Sequence, residues 1–303
     1  MPTEPRVWRS LMYVPVNVEK YVDKAHTRGA DVIQLDLEDS VPPAEKDRAR
    51  TLVEKAAARV RRGGADVVVR INRPLSLAVR DLEHAVCRDV DGVALTKIDS
   101  ASHVRLLDEL VTEIEQKKGL EIGHTKFIAM IETADAFTRI DEVPCASPRI
   151  VAMNIGGEDF ALDCDMQPDD DVLLHPKQRM IIAARAAGVM PIGFIGTVAG
   201  FGNWEQFRAM VRRSRRFGFD GAGCIHPGQV AIVNEEYSPS EEDVAYARKI
   251  VEVNAQTVQS GRGSFALDGK MIDIPIIVRA EKLIARHEAI RRREARTLAA
   301  MKS

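Results

Sequence analysis

The chain has 303 residues, of which 45% are hydrophobic and 29% are charged, and this balance argues against intrinsic disorder. The formal net charge of -2 at pH 7 gives no overall attraction to nucleic acid, so an anionic ligand must be bound by local basic groups. We therefore expect no nucleic-acid partner.

The four cysteines form no CxxC pair, and this pattern favours reduced thiols in a cytoplasmic protein over a disulfide framework. The N-terminal residues lack the apolar segment of a secretory signal, so we expect none. One uncharged run, residues 186–204, has the length of a membrane span. Its five glycines and one proline favour a helix end, a turn and a buried strand, and we expect no membrane segment.

Eight short runs of β-forming residues predict eight strands. They are SLMYVPV (10–16), DVIQLDL (31–37), DVVVRIN (66–72), GVALTKI (92–98), KFIAMIE (126–132), IVAMNIG (150–156), PIGFIGT (191–197) and GAGCIHP (221–227). Between them lie charged, alanine-rich segments with helical apolar spacing, such as residues 44–62 and 100–118. Repeated strand–helix units with nearly continuous apolar strands predict a TIM (β/α)8 barrel, an α/β fold with a parallel sheet. A doubly wound open sheet is the alternative.

The pattern changes beyond Pro227. Residues 238–258 predict a helix with Ser240 as its N-cap, and the stretch GRGSFALDG (261–269) interrupts it. Helical spacing resumes at Ile274 and continues to a basic end. We therefore predict a barrel domain over residues 1–237 and, over residues 238–303, a C-terminal helical extension without a core of its own.

Polar residues collect at the predicted strand ends, where TIM barrels carry their active sites. They are Asp36, Glu38 and Asp39 after the second strand, Arg70 and Asn72 at the third, Lys97 at the fourth, Glu132 and Thr133 at the fifth, Glu158 and Asp159 after the sixth, and His226 after the eighth.

Several of these groups also have a purely structural explanation. A carboxylate that follows a strand is often a helix N-cap, which could account for Asp99, for Asp135 and for one of Asp36 and Asp39. His226 is predicted to orient or cap the following helix, because no second histidine lies at metal-ligand spacing.

Glu132 and Asp159 follow adjacent predicted strands, so their oxygens can share one hard cation, with substrate and water as its other ligands. Because histidine and cysteine are absent from these positions, magnesium is favoured over zinc. Arg70 can clamp a substrate carboxylate through a bidentate contact, or it can serve only to pair with nearby acids. Glu38 and Asp39 would support the site through hydrogen bonds to metal-bound water and to Arg70.

Eight motifs occur in order between residue 9 and about residue 280: RSLMYVPV, GADVIQLDLEDSVPPAEKDRAR, VRIN, LTKIDSASHV, IETADAF, GGEDF, GFDGAGCIHPGQV and GKMIDIP. Together they resemble the HpcH/HpaI aldolase and citrate lyase β-subunit family. The resemblance is strongest to the CitE-like acyl-CoA lyases, the group with citramalyl-CoA, citryl-CoA and malyl-CoA lyases.

The resemblance implies a homotrimeric (or hexameric) TIM barrel that uses Mg2+ to cleave a carbon–carbon bond in a 3-hydroxyacyl-CoA. By position, Glu132 and Asp159 match the metal ligands of the family, and Arg70 matches its substrate-carboxylate arginine. Glu38 and Asp39 match the supporting acids.

One further catalytic residue is implied by the resemblance alone. Asp273, in GKMIDIP, matches an aspartate that one subunit inserts into the active site of its neighbour, where it acts as general acid in a retro-Claisen cleavage or as base in the condensing direction. Arg9 and Lys97 are the candidate contacts for the phosphates of coenzyme A.

Two other functions remain compatible with the same residues: a thioesterase for malyl-CoA-type substrates, and the β subunit of a multi-subunit citrate lyase. Val16 replaces the usual glycine of the family, Ala222 replaces a common lysine, and PIGFIGTVAG lacks an acid often present after the seventh strand. The resemblance therefore does not identify the particular acyl-CoA.

Overall fold

The computed structural model describes residues 5–196, 202–259 and 264–302. The chain divides into two compact units. One consists of Trp8–Tyr237 and Ala300–Ser303, and the other consists of Met1–Val7 and Ser238–Ala299.

Eight parallel strands form one sheet in the described part of the larger unit. They are β1 (Ser10–Pro15), β2 (Val32–Asp36), β3 (Asp66–Ile71), β4 (Gly92–Leu95), β5 (Lys126–Ile131), β6 (Ile150–Ile155), β7 (Met190–Pro191) and β8 (Ala222–Cys224). Each lies within or beside the run that predicts it. Thr197, the last residue of the seventh predicted run, lies outside the described residues.

The sheet closes into a barrel. Its strand order is β7-β6-β5-β4-β3-β2-β1-β8, and a parallel bridge between Ile192 and Gly221 joins the two ends. A side chain at Gly221 would place its Cβ only 1.9 Å from the backbone oxygen of Trp8, so the close approach requires glycine. The TIM-barrel prediction is confirmed, and the open-sheet alternative is wrong.

Helices connect the strands on the outside of the barrel. They are α1 (Glu19–Ala25), α2 (Lys46–Thr51), α3 (Val53–Val60), α4 (Leu75–Ala85), α5 (Ala101–Lys117), α6 (Ala134–Thr138), α7 (Gly157–Asp163), α8 (Asp170–Ala186), α9 (Trp204–Phe217) and α10 (Pro227–Glu236). The single helix predicted over residues 44–62 is divided at Leu52, whose N–H bonds to the oxygen of Ala49, three residues back.

Two apolar clusters result from the alternation of side chains along the strands. One set fills the barrel interior and includes Leu11, Val32, Val68 and Ile128. The alternate strand residues pack with the helices in a larger cluster.

The smaller unit contains α11 (Glu241–Gln259), an antiparallel hairpin of β9 (Phe265–Leu267) and β10 (Lys270–Ile272), and α12 (Ile274–Ala300). Ser240 caps α11 as predicted, because its Oγ accepts a hydrogen bond from the N–H of Asp243 at 3.0 Å. The expectation that this extension has no core of its own is wrong, because the hairpin and the two helices bury a shared apolar cluster. It consists of Ala247, Ile250, Leu267, Ile272, Ile277 and Ala280. The first three residues of GRGSFALDG lie outside the described residues.

The uncharged run at residues 186–204 is divided among the end of α8, β7 and the start of α9, and residues 197–201 lie outside the description. Within the described ranges no helix combines the length and the apolar character that crossing a membrane requires. All four cysteines are free thiols, as predicted.

Candidate active site

The predicted polar residues meet at one rim of the barrel, because parallel strands end on the same side. Asp36 ends β2, Arg70 is the next-to-last residue of β3, Lys97 follows β4 by two residues, Glu132 follows β5 directly, and Asp159 lies in the first turn of α7, after β6. Strands β5 and β6 are hydrogen-bonded neighbours, as the shared-cation prediction requires.

Arg70 is surrounded by carboxylates. The β2–β3 register places it opposite Asp36, to whose two oxygens its Nε and Nη2 donate hydrogen bonds of 2.7 Å each. Its Nη1 lies 2.8 Å from Glu38 and 3.1 Å from Asp39, and the guanidinium stacks 4.9 Å above the ring centre of Tyr13. One bidentate edge of Arg70 is therefore used inside the protein, and Nη1 also pairs with the buried Glu38, so a ligand can reach Nη1 only in place of the exposed Asp39.

Asp36 is a charged anchor for this arginine. Burial is the largest single influence and would raise the pKa of its carboxyl group, but the hydrogen bonds and charge of Arg70, together with the hydrogen bonds from Ser40 and Glu38, lower the pKa overall. Asp36 also accepts the backbone N–H groups of Glu38 (2.9 Å) and Ser40 (3.2 Å) and thus closes a turn. The prediction that Asp36 or Asp39 caps a helix is wrong, since the next helical turn begins only at Pro43.

Lys97 connects three of the acids. Its Nζ lies 2.9 Å from Glu38 Oε1 and 3.2 Å from Asp159 Oδ1, and its backbone N–H donates to Glu132 Oε2 at 2.7 Å. Its φ of 48° lies in the left-handed region, which is unusual for a residue with a side chain. The negative charge that follows β2 is thus balanced by Arg70 and Lys97 together.

Glu132 is 2% exposed, and burial raises the pKa of its carboxyl group to about 7. The N–H of Lys97 acts in the opposite direction, and the charges of Asp159 and Glu38 raise the pKa further. A Cβ at Gly156 would lie 2.3 Å from Glu132 Oε1, so this glycine makes room for the carboxylate. The carboxyl group of Glu132 is therefore closely packed, and the effect of burial on its pKa exceeds the opposing effect of Lys97.

These residues fit a magnesium ion. Within the described ranges no group of three or more histidine, cysteine, aspartate or glutamate side chains forms a metal site. Magnesium is often held by one or two carboxylates, with water and substrate as its remaining ligands. Glu132 and Asp159 are the two carboxylates predicted for this role, and the buried Oε2 of Glu38 lies 2.8 Å from Arg70 Nη1.

Arg9 is removed from the candidate contacts for coenzyme A. It precedes β1 and therefore lies at the opposite end of the barrel, where it is 4% exposed. Its backbone N–H and Nε each lie 2.8 Å from Asp31 Oδ2, and its Nη2 lies 3.0 Å from Asp31 Oδ1. The prediction that Arg9 contacts CoA phosphates is wrong, because the side chain is committed to a buried ion pair.

The helix caps differ in part from the predicted ones. Ser100 caps α5 and Thr133 caps α6, so the prediction that Asp99 or Asp135 caps these helices is wrong. His226 caps α10 as predicted, because its Nδ1 accepts the N–H of Gly228 at 3.0 Å.

Asp273 belongs to the smaller unit, where it is exposed between β10 and α12. Its backbone oxygen accepts the N–H groups of Ile276 and Ile277, both at 3.1 Å, and so begins α12. Its predicted insertion into a neighbouring subunit stays a prediction.

Sequence reasoning missed three contributors to the site: the ring of Tyr13 under Arg70, the space provided by Gly156, and the position of the Lys97 ammonium among the acids. The paired glycines of GGEDF were the available signal for the second. The first and third depend on side-chain directions that no motif displays.

The arrangement can be compared with known proteins. The family model for HpcH/HpaI aldolase/citrate lyase matches residues 9–227. The chain belongs to this family. Among family relatives, citrate lyase subunit beta of Leuconostoc mesenteroides subsp. cremoris is 33% identical over 92% of this chain and 93% of its own. An L-malyl-CoA/beta-methylmalyl-CoA lyase of Cereibacter sphaeroides (strain ATCC 17025 / ATH 2.4.3) is 33% identical over 95% of this chain and 97% of its own.

Solved structures agree with the family assignment. The protein CitE from Mycobacterium tuberculosis, in complex with magnesium, acetoacetate and coenzyme A, superposes with a TM-score of 0.73 at 29% identity. The match covers 92% of this chain and 97% of that one.

Proposed function

We propose that this chain is a Mg2+-dependent carbon–carbon lyase that cleaves a 3-hydroxyacyl-CoA of the citramalyl-, citryl- or malyl-CoA type to acetyl-CoA and a keto acid. The observation that carries the proposal is the convergence of Glu132, Asp159 and Arg70 on one barrel rim. The relatives named citrate lyase subunit beta and malyl-CoA lyase support the reaction type. The CitE complex with magnesium and coenzyme A supports the cofactor and the substrate class.

Each side chain has a role that follows from its surroundings. Glu132 and Asp159 hold the magnesium ion, which when bound supplies Lewis-acid polarisation of substrate oxygens. Arg70 is held by Asp36 along one edge, and its Nη1 pairs with Glu38. The second hydrogen of Nη1 is available to the substrate carboxylate once the exposed Asp39 turns away.

The cleavage is a retro-Claisen reaction. The 3-hydroxyl group releases its proton to solvent water, the bond between C2 and C3 breaks, and its electron pair forms the enolate of acetyl-CoA while the C3 carbonyl forms and the keto acid leaves. Asp273 from a neighbouring subunit protonates C2 as general acid, and in the condensing direction it removes that proton. This role requires a homo-oligomer, for which we propose a trimer or hexamer, and we propose a cytoplasmic location.

Product analysis tests the reaction. The purified protein is incubated with Mg2+ and malyl-, citramalyl- or citryl-CoA. We expect a keto acid and acetyl-CoA from one of them, and Asp159→Ala should abolish this activity while circular dichroism shows a folded protein. Release of the free hydroxy acid with CoA would instead identify a thioesterase. Normal turnover by Asp159→Ala would remove Asp159 from the site.

A second candidate function is the β subunit of a multi-subunit citrate lyase. It is favoured by the 33% identity to citrate lyase subunit beta over 92% of the chain. The two candidates differ in the form of the substrate. Activity of the isolated protein on free CoA thioesters supports the stand-alone lyase, and activity only on thioesters of an acyl-carrier protein supports the subunit.

Mixed oligomers test the shared active site. Asp273→Ala and Glu132→Ala are each expected to be inactive, because each removes one half of every site. Mixing equal amounts under exchange conditions should restore about a quarter of wild-type activity, the fraction of interfaces that pair an intact barrel with an intact Asp273 at random. Absence of recovery after mass spectrometry has verified subunit exchange would contradict the assignment of Asp273.

A further inference from the structure

Lys97 has no role in the cleavage described above, although its ammonium group lies at the centre of the acids. Nζ is 2.9 Å from Glu38 and 3.2 Å from Asp159. Across the described residues, Lys97 is the one basic side chain in ion-pair contact with Asp159, and Arg70 is already committed to other carboxylates. The metal ligand Asp159 is thus held by an internal cation.

The backbone of Lys97 fixes this position from both sides. Its N–H donates to Glu132, and its carbonyl oxygen accepts a hydrogen bond of 2.9 Å from Nε of Arg73. The left-handed φ of 48° costs conformational energy in a residue with a Cβ, and such a conformation persists where surrounding contacts hold it. One residue therefore orients the first metal ligand with its main chain and holds the second with its side chain.

The role of the Lys97 ammonium follows from the carboxylates that surround it. Glu38 is 7% exposed and Glu132 is 2% exposed, and both lie near Asp159. The Arg70 guanidinium compensates Glu38 in part, and the Lys97 ammonium is the positive charge that contacts both Glu38 and Asp159. A divalent ion that binds Glu132 and Asp159 is repelled by the same ammonium, since like charges repel strongly where water is scarce.

Resting on the proposed function, we infer that Lys97 is an internal counter-cation that competes with the divalent ion. It holds Asp159 and Glu38 in place in the metal-free protein, gives up Asp159 when the ion binds, and thereby lowers the affinity for that ion. Lys97 is a positioning residue, and a contact with CoA phosphates is not its role. The site then exchanges metal readily while its acids stay arranged for binding.

Calorimetric titration of Mg2+ into metal-free protein tests the inference. Lys97→Met should bind Mg2+ at least about tenfold more tightly than wild type, because the repelling charge has gone. Lys97→Arg, which keeps the charge, should stay close to wild type. Lys118→Met is the matched control, because it removes an equal charge and two hydrogen bonds to the backbone oxygens of Glu83 and Val86, far from any carboxylate cluster of the rim. Its affinity for Mg2+ should be unchanged.

Thermal unfolding provides the second readout. In EDTA, Lys97→Met should unfold at a lower temperature than wild type, and saturating Mg2+ should reduce this difference. Equal or weaker Mg2+ binding by Lys97→Met, or equal stability of the two proteins in EDTA, would overturn the inference. If Lys97 served only to stabilise the fold, the Lys97→Met substitution would lower both thermal stability and Mg2+ affinity.

Amine labelling of the wild-type protein keeps the inference testable if Lys97→Met does not fold. Lys97 should react with acetic anhydride several-fold faster in Mg2+ than in EDTA, because its amine loses the Asp159 contact. Lys118 serves as the internal reference, and an unchanged or lower ratio of Lys97 to Lys118 labelling would contradict the inference.

The same titration separates this inference from the proposed metal site. If wild type binds Mg2+ and Glu132→Gln does not, the metal site stands, and Lys97→Met tests the counter-cation alone. If Glu132→Gln binds Mg2+ like wild type, the proposed metal site itself is wrong.

Discussion

The metal-free protein should lose stability as the pH rises, because the buried carboxyl group of Glu132 then loses its proton. Burial of this side chain raises its pKa from the ordinary 4.5 to about 7 in the folded state. Between these values the folded protein keeps a proton that the unfolded chain has released, so the contribution to stability is fully present below pH 4.5 and is lost as the pH rises through 7. The difference between the two pKa values corresponds to a loss of about 3 kcal/mol in unfolding free energy by pH 8.

Urea unfolding in EDTA at pH 5 and pH 8 measures this effect. Glu132→Gln has no proton to release, so its stability relative to wild type should improve by about 2–3 kcal/mol between the two pH values. The matched control is Glu109→Gln, which removes an exposed carboxylate of α5 and should follow wild type at both. Parallel loss of stability by wild type and Glu132→Gln would refute the reasoning. Added Mg2+ at pH 8 should stabilise wild type but not Glu132→Gln, since only wild type keeps both ligands.

Two further substitutions test the rim and the opposite end of the barrel. Gly156→Ala should keep the fold, because its φ of -74° suits alanine, but its Cβ would displace Glu132 and weaken Mg2+ binding about tenfold or more, measured by calorimetry. Wild-type affinity in this variant would show that the carboxylate tolerates displacement. Arg9→Ala removes the guanidinium from a buried ion pair with Asp31 and should cost about 3–5 kcal/mol in chemical unfolding. The KM for the acyl-CoA should remain unchanged in the folded fraction, and a large rise in KM would return Arg9 to the binding site.

The fold was largely predictable because each strand is a compact apolar run between helical segments. Strand β7 is the weakest case, since only Met190–Pro191 pair with β6 and a bridge at Ile192 completes the connection to β8. Apolar content predicted this strand, but its pairing length depends on backbone geometry that composition does not encode. The core of the smaller unit was missed because a hairpin supplies part of it, and three-residue strands leave too few positions for a periodic signal.

The candidate site was predictable as a set of residues but not as a network of partners. The position of the acids after the strands follows from the barrel rule alone. The choice of partner depends on register, which pairs Asp36 with Arg70, and on the direction of a strained backbone, which sends Lys97 toward Asp159. Arg9 was misplaced although the sequence held the signal, because a residue that precedes a strand belongs to the end away from the chemistry.

The extent of backbone pairing between neighbouring strands differs around the barrel. Among the described residues, strands β5 and β6, which lead to Glu132 and Asp159, share five register pairs, whereas β6 and β7 share two. A bridge between Ile192, next to β7, and Gly221, next to β8, joins the ends of the sheet. The half of the rim beside β5 and β6 therefore has more extensive backbone pairing than the half beside the β7–β8 seam. Under the proposed function, substitutions along that seam would reshape the space for a substrate while the strands that lead to Glu132 and Asp159 keep their pairing, so one scaffold could accept different thioesters.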